Sequence, residues 1–358
     1  MTAVTVRKAR PSARVAATVT LLTDIPLSVL DLAPVATGTS TGAALAQTVE
    51  LAEHVEALGY RRFWVAEHHG MPGIASSAPP VLIGAIAATT TSIRVGSGGV
   101  MLPNHTPLVV AEQFGMLEAL HPGRIDLGLG RAPGTDPVTA RALRRSVASL
   151  SAEDFPEQLA QLRGYFTAGS AGAVRAFPAE GNAPEIHLLG SSGFSAELAG
   201  MLGLPFAFAH HFSAHNTLPA LDLYRRAFRP STVLAEPYAI VCVSVVAADD
   251  DEQARWLAGS GGLSWLQLRS GRPGTVPTPE EAASYPYEPW EREVVRDRLA
   301  AQVIGGPETV RSGLAALLRR SQADELMITT MTHDPQAGRD SFTRVAQLAA
   351  EVPTSPAD

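Results

Sequence analysis

Ile93-Arg-Val-Gly-Ser-Gly-Gly-Val100, running through Met101-Leu-Pro-Asn-His105 into Thr106-Pro107, passes from an apolar, β-branched run to a glycine-marked end and then to a helix start. Thr106 offers a capping hydroxyl, and Pro107 a first helical residue with no amide to leave unpaired. This is one βα unit, and the alternation recurs along the chain. Eight runs read as strands: Leu27–Leu30, Phe63–Ala66, Ile93–Val100, Ile125–Leu129, Ile186–Leu189, Phe206–Ala209, Tyr238–Val246 and Leu326–Thr330. The segments between them have helical period. Gly59 and Gly203 mark helix stops, and Ser151-x-x-Asp154 resembles a capping box. Strands alternating with helices build parallel sheets, and eight such units predict an α/β fold, a (β/α)8 TIM barrel with insertions at its C-terminal mouth. A doubly wound open sheet reads similarly over the first half. Ala17–Leu22 is a spare apolar run that suits an added strand.

Composition narrows the function classes. The chain has 358 residues, 46% hydrophobic and 18% charged, with 31 Gly and 27 Pro, the balance of a compact protein with many connections. A net charge of −7 without a dense Lys/Arg stripe argues against nucleic acid or an anionic membrane as partner and for a small-molecule substrate. No run reaches the roughly 20 apolar residues of a membrane span. Residues 1–24 lack a signal peptide's apolar centre, and the lone Cys242 lies in an apolar run where it reads as a buried small hydrophobe, so a reducing cytoplasm is expected. The leader's Arg7, Lys8, Arg10 and Arg14 read as part of a disordered arm rather than a nucleic-acid tail. The expected organisation is an arm over 1–24, one barrel domain over 25–351 and a tail over 352–358. Two irregular stretches, Ala168–Glu185 and the Pro-rich Gly271–Pro289, interrupt the pattern, and the second reads equally as a surface connection or an active-site lid.

Segments that follow strand ends gather on one face of a barrel, where active sites are built. Four of them carry chemistry. Phe63-Trp-Val-Ala-Glu67-His68-His69-Gly70 delivers a carboxylate and two imidazoles to the mouth; no third ligand stands at a metal spacing, so no metal site is expected. Gly98 and Gly99 in Gly96–His105 suit either close backbone approach by a flat ligand or a bulge in the wall. Gly128-Leu-Gly130-Arg131-Ala-Pro-Gly134 has the wrong spacing for a dinucleotide fingerprint, but Arg131 just past a strand end can grip a phosphate with two prongs. Gly190-Ser191-Ser192-Gly193-Phe194-Ser195 leads into a helix, and its three hydroxyls with the first amides form a candidate phosphate cradle. Asp31, His105, His210 and His211 stand at other strand ends as candidates for the substrate side.

On these residues the chain resembles the luciferase-like flavin monooxygenases, the bacterial luciferase superfamily, in its natural-product biosynthesis branch. The resemblance runs from Leu27 to Thr329 and rests on Trp64-Val-Ala-Glu-His-His69, Gly96–His105, Glu112-Gln113 and Gly123–Gly134. It implies FMN at the barrel mouth and a homodimer. It also implies that His68, with Glu67 beside it, stabilises an oxygen adduct of reduced flavin. By the same resemblance Gly98–Gly99 forms a non-proline cis peptide against the flavin ring, and Arg131, Ser191, Ser192 and Ser195 hold its phosphate. Bacterial luciferase carries a reactive cysteine just before the arginine that Arg131 matches, where this chain has Gly130.

No NAD(P)H fingerprint is legible, and the arrangement the resemblance implies is a two-component system in which a partner flavin reductase supplies reduced FMN. The expected reaction combines that FMN with O2 to a C4a-(hydro)peroxyflavin, which oxygenates a small organic substrate. Two rivals remain: a reductase or dehydrogenase of the same superfamily using the deazaflavin coenzyme, and a flavin-binding protein without turnover. Hydroxylation, epoxidation, Baeyer–Villiger insertion and light emission all stay open, because loops set specificity in this fold.

Overall fold

The structure is a computed structural model that describes residues 22–132, 134–143, 154–169 and 174–351. The leader through residue 21, the tail 352–358 and the start of the capping box at Ser151 lie outside the described residues; Leu22–Asp24 is a 3-10 turn rather than the end of a strand.

All eight expected runs form parallel strands. In chain order these are β1 (Leu27–Asp31), β2 (Arg62–Val65), β3 (Arg94–Met101), β4 (Ile125–Gly130), β5 (Glu185–Gly190), β6 (Phe206–Ala209), β7 (Ala239–Ala247), β8 (Val303–Gly305) and β9 (Glu325–Thr329). Each strand from β1 to β7 pairs with the next, β7 pairs with β9, and β9 returns to β1, so eight strands close a ring. This is a (β/α)8 TIM barrel. The short β8 was not anticipated. It extends the far end of β7, pairing Val245 with Val303, where β7 outruns β9. Three residues are too few for alternation to show in sequence.

The helices are α1 (Thr41–Ala57), α2 (Pro79–Thr89), α3 (Pro107–Leu120), α4 (Pro137–Ala142), α5 (Phe155–Tyr165), α6 (Gly193–Leu202), α7 (Thr217–Ala227), α8 (Asp251–Arg269), α9 (Pro279–Ser284), α10 (Pro289–Ala300), α11 (Pro307–Ser321) and α12 (Pro335–Ala350). Gly203 ends α6 at φ +62°, the left-handed stop read from sequence. Thr106 precedes α3, but its hydroxyl makes no capping bond. The Pro-rich stretch is more ordered than its composition suggests, because Pro279 and Pro289 are first residues of helices, where a missing amide costs nothing. Before them, Val276 exchanges backbone hydrogen bonds with Val35 and Thr37 in the loop after β1.

Strand alternation sorts the barrel into an outer and an inner set. Val29, Phe63, Val65, Leu127, Leu188, Phe206, Val241 and Ile328 face the helices in one large core. Leu30, Trp64, Ala207, Ile240, Cys242 and Met327 fill the interior nearer the mouth, Cys242 as the small hydrophobe read from sequence. Below them the barrel floor is charged. The Arg62 guanidinium donates to Glu325 from Nε at 3.1 Å and to Asp126 from Nη1 at 2.9 Å, all three side chains being fully buried. Tyr238, Ser28 and the Trp64 indole supply further donors at 2.7, 2.5 and 2.9 Å. Asp126, Glu185 and His187 bring metal-ligand atoms within 4.8 Å of one another, but Arg62 and Arg94 already neutralise these carboxylates.

Candidate active site at the barrel mouth

Glu67 leaves the end of β2 fully buried. Its Oε1 accepts from His105 Nε2 at 2.8 Å and His69 Nε2 at 2.9 Å, and its Oε2 from the Met101 amide at 3.0 Å. Burial pushes this carboxyl up, yet the donors outweigh it and hold it down at about 2. Glu67 therefore ties the loop after β2 to the loop after β3, and two of the mouth histidines are spent on that tie.

His68 points elsewhere. Its ring Nδ1 lies 3.1 Å from the Gly134 carbonyl, and its amide donates to Ser76. A carbonyl can only accept, so Nδ1 carries the proton and Nε2 is the basic nitrogen. Desolvation lowers the His68 pKa, against the opposing pull of the Gly134 bond and Glu67. The imidazole is neutral at pH 7. His211 repeats the arrangement: its Nδ1 reaches the Cys242 carbonyl at 3.2 Å, burial drops its pKa to about 4, and it lies near enough to His68 for their charges to interact.

The cradle residues also meet. Arg131, just past β4, stacks its guanidinium 4.3 Å over the ring of Phe194 in the first turn of α6. Ser192 is the N-cap of α6 in extended conformation, but its hydroxyl makes no capping bond. Ser195 is buried against Gly190, where an added Cβ would stand 2.8 Å from the Ser195 Cβ, while Ser191 is half-buried beside it. Serines and a guanidinium thus stand around the turn after β5 and the first turn of α6.

Gly98–Gly99 is a cis peptide bond. A side chain at Gly98 would collide with Leu30 Cδ1 at 2.5 Å, and one at Gly99 with the Gly128 carbonyl at 2.7 Å. The register between β3 and β4 shifts over this stretch, so the bulge is present, and at Gly99, against the Gly128 backbone, strand packing itself excludes a side chain.

Two candidates lie away from this group. Asp31 accepts from the Ala33 amide at 2.8 Å and from Thr48 Oγ1 of α1 at 2.7 Å, facing outward because it shares parity with Val29. His210 pairs with Thr217 Oγ1 at 2.7 Å at the start of α7. Position at a strand end does not decide which way a side chain turns.

Other mouth residues were not singled out from sequence. On α8, Gly261 lies against Met331, after β9, and Gln267 against Gly274. Trp265 of α8 meets Phe212 edge-on at 5.6 Å, and Arg298 of α10 reaches from above Trp265 to the His211 carbonyl. Only the i, i+4, i+7 spacing of Ser260, Ser264 and Gln267 hints at a polar face on α8, and it does not reveal what that face meets.

An eight-stranded barrel with half-buried and buried polar groups from several loops gathered at one mouth is the plan of a barrel enzyme. The family profile of luciferase-like monooxygenases matches residues 25–325, and the chain belongs to that family; it is an oxidoreductase. A luciferase-like monooxygenase of Escherichia coli (strain K12) is 46% identical over 329 residues, covering 92% of this chain and 97% of its own. The N-acetyl-S-alkylcysteine monooxygenase of Bacillus subtilis (strain 168) is 36% identical over 317 residues, covering 86% and 92%. Among solved structures, apo-MsnO8 superposes with a TM-score of 0.84 at 36% identity, covering 92% of this chain and 99% of its own. More distant structures share the fold: the oxygenating constituent of 3,6-diketocamphane monooxygenase in complex with FMN (TM-score 0.68, 18% identity, covering 93% and 99%) and an F420-dependent secondary alcohol dehydrogenase (0.64, 16%, covering 91% and 99%). Among the described residues no helix is long and apolar enough to cross a membrane.

Proposed function

We propose that this protein is the oxygenating component of a two-component flavin monooxygenase, taking reduced FMN from a separate reductase in the cytoplasm and using O2 to oxygenate a small organic substrate. The observation that carries the reading is the meeting of Arg131 with the uncapped start of α6. Charge-assisted donors from a guanidinium, hydroxyls and helix-start amides fit a phosphate monoester, so the residues present suit FMN. The bound flavin supplies the activation of O2. The protein's part is to hold it against the Gly98–Gly99 backbone and to keep His68 Nε2 bare and neutral, ready to take and return a proton at the reacting oxygen. Glu67 acts one step back, fixing the two loops between which His68 sits. The monooxygenase relatives favour FMN over a deazaflavin, and a relative named for N-acetyl-S-alkylcysteine favours a small organic substrate.

The direct test is stopped flow: protein with anaerobically reduced FMN is mixed with aerated buffer. A transient absorbance near the blue edge of the visible, outlasting that of free flavin, is expected before oxidised FMN appears. Oxidised FMN appearing at the protein-free rate would overturn the reading and direct the next titration to deazaflavin. Arg131→Ala is expected to weaken FMN binding about ten- to a hundredfold, because a charge-assisted contact contributes about 1.5–3 kcal/mol; fluorescence quenching measures it.

We also propose that the active form is a homodimer joined through α2 and α3. These neighbouring helices expose Val81 at 76%, Met116 at 54% and Leu120 at 70%, with Val109 on the same stripe as the last two. Leu120→Asp is expected to halve the mass seen by light scattering while leaving the circular dichroism unchanged.

A further inference from the structure

Arg298 is a half-buried cation with no anion beside it among the described residues. Its guanidinium lies 4.3 Å over the Trp265 ring and donates Nη1 to the His211 carbonyl, while Nε is out of contact with solvent and has no acceptor. Among the described residues no carboxylate stands within ion-pair distance of it. Burial works against its charge, and no neighbouring acid restores it. By contrast the barrel-floor Arg62 has Asp126, Glu185 and Glu325 around it. Taking a guanidinium out of water without a counter-charge is costly, and folds that keep such a group usually bring an anion to it.

The neighbouring helix has the same peculiarity. Ser260 Oγ, Ser264 Oγ and Gln267 Oε1 are buried without partners, spaced to share one face of α8. Trp265 lies on a different face of α8 from these three atoms, and Arg298 bridges its ring to the His211 carbonyl. Arg298, on α10, is on a different element from Arg131 and the start of α6, which follow β4 and β5.

We propose that Arg298 anchors the carboxylate of the substrate, with Trp265 and Phe212 against its apolar body. This rests on the oxygenase reading above for which molecule is the substrate, and it assigns the substrate class as an amphipathic organic acid. A planar fork with an unfilled Nε matches a carboxylate in two-pronged fashion, which a lysine at this position would not do.

The test is equilibrium binding by calorimetry, without turnover, to protein with and without saturating FMN. The probes are hexanoate, 3-phenylpropanoate and N-acetylmethionine, each beside its neutral amide. At least one acid is expected to bind tenfold or more tightly than its amide, with FMN present, so that the phosphate cradle does not account for the preference. In Arg298→Met the ratio should fall to about one while the amide binds as before, and Arg298→Lys should keep part of the preference. The thermal midpoint of Arg298→Met should stay close to the parent's, since the lost Trp265 stacking and His211 bond are offset by relief of a half-buried cation that has no anion. The proposal is overturned if no acid outbinds its amide, if the preference survives in Arg298→Met, or if that variant loses stability along with the preference. None of these outcomes bears on O2 chemistry, and a failure of the stopped-flow test would leave an acid preference standing.

Discussion

Replacing His68 by alanine is expected to cut oxygenation about 10²–10⁴-fold, the usual contribution of a positioned acid–base group, while FMN binds nearly as before. The separation follows from geometry. The proposed phosphate contacts lie after β4 and β5, whereas His68 follows β2 and is held through Nδ1 by the Gly134 carbonyl. Burial of the ring, working against that bond, prescribes the pH dependence. Desolvation lowers the His68 pKa, so the neutral form persists as pH falls below the ordinary histidine value of 6.5. The acid limb of kcat/KM should therefore lie below 6.5, and it should vanish in His68→Ala. Stopped-flow traces and a pH series on substrate oxygenation check both points. An unchanged rate in the variant would remove His68 from the chemistry and leave His211, with its parallel tautomer, as the next residue to replace.

The second large effect concerns stability rather than turnover. Arg62→Ala is expected to destabilise the barrel by about 3–5 kcal/mol, because it strands Glu325 and Asp126, both fully buried, without their counter-charge. Losing the guanidinium removes the 3.1 Å bonds to Glu325 and the 2.9 Å bond to Asp126 together. Urea unfolding followed by circular dichroism would show this as an earlier midpoint. The pair Arg62→Met with Glu325→Leu should recover a good part of the loss, since replacing both charges by apolar groups removes the desolvation cost as well as the attraction. No recovery would mean that Arg62 acts chiefly through packing.

The first set of residues was legible because its signals are local. Strand runs and helix stops such as Gly203 depend on neighbours a few positions away, so eight βα units and their closure could be read directly. His68, Arg131 and Ser191–Ser195 follow strand ends and Gly98–Gly99 lie near the end of β3, and in a barrel every strand end reaches the same face. The barrel floor was not legible: Arg62 and Glu325 are 263 residues apart, and in sequence each looks like an ordinary surface charge. Nor was the direction in which Asp31 and His210 turn, which depends on the Thr48 and Thr217 hydroxyls offered by packed helices. Arg298 is the sharpest case, one arginine among several on α10, distinguished because α8 and the loop after β6 bury it beside Trp265 and His211. Local chemistry thus determined the strands, the barrel and the segments that form the mouth. Burial and partnership over long sequence separations, which no local pattern encodes, decided which charges are satisfied and which are left waiting for a ligand.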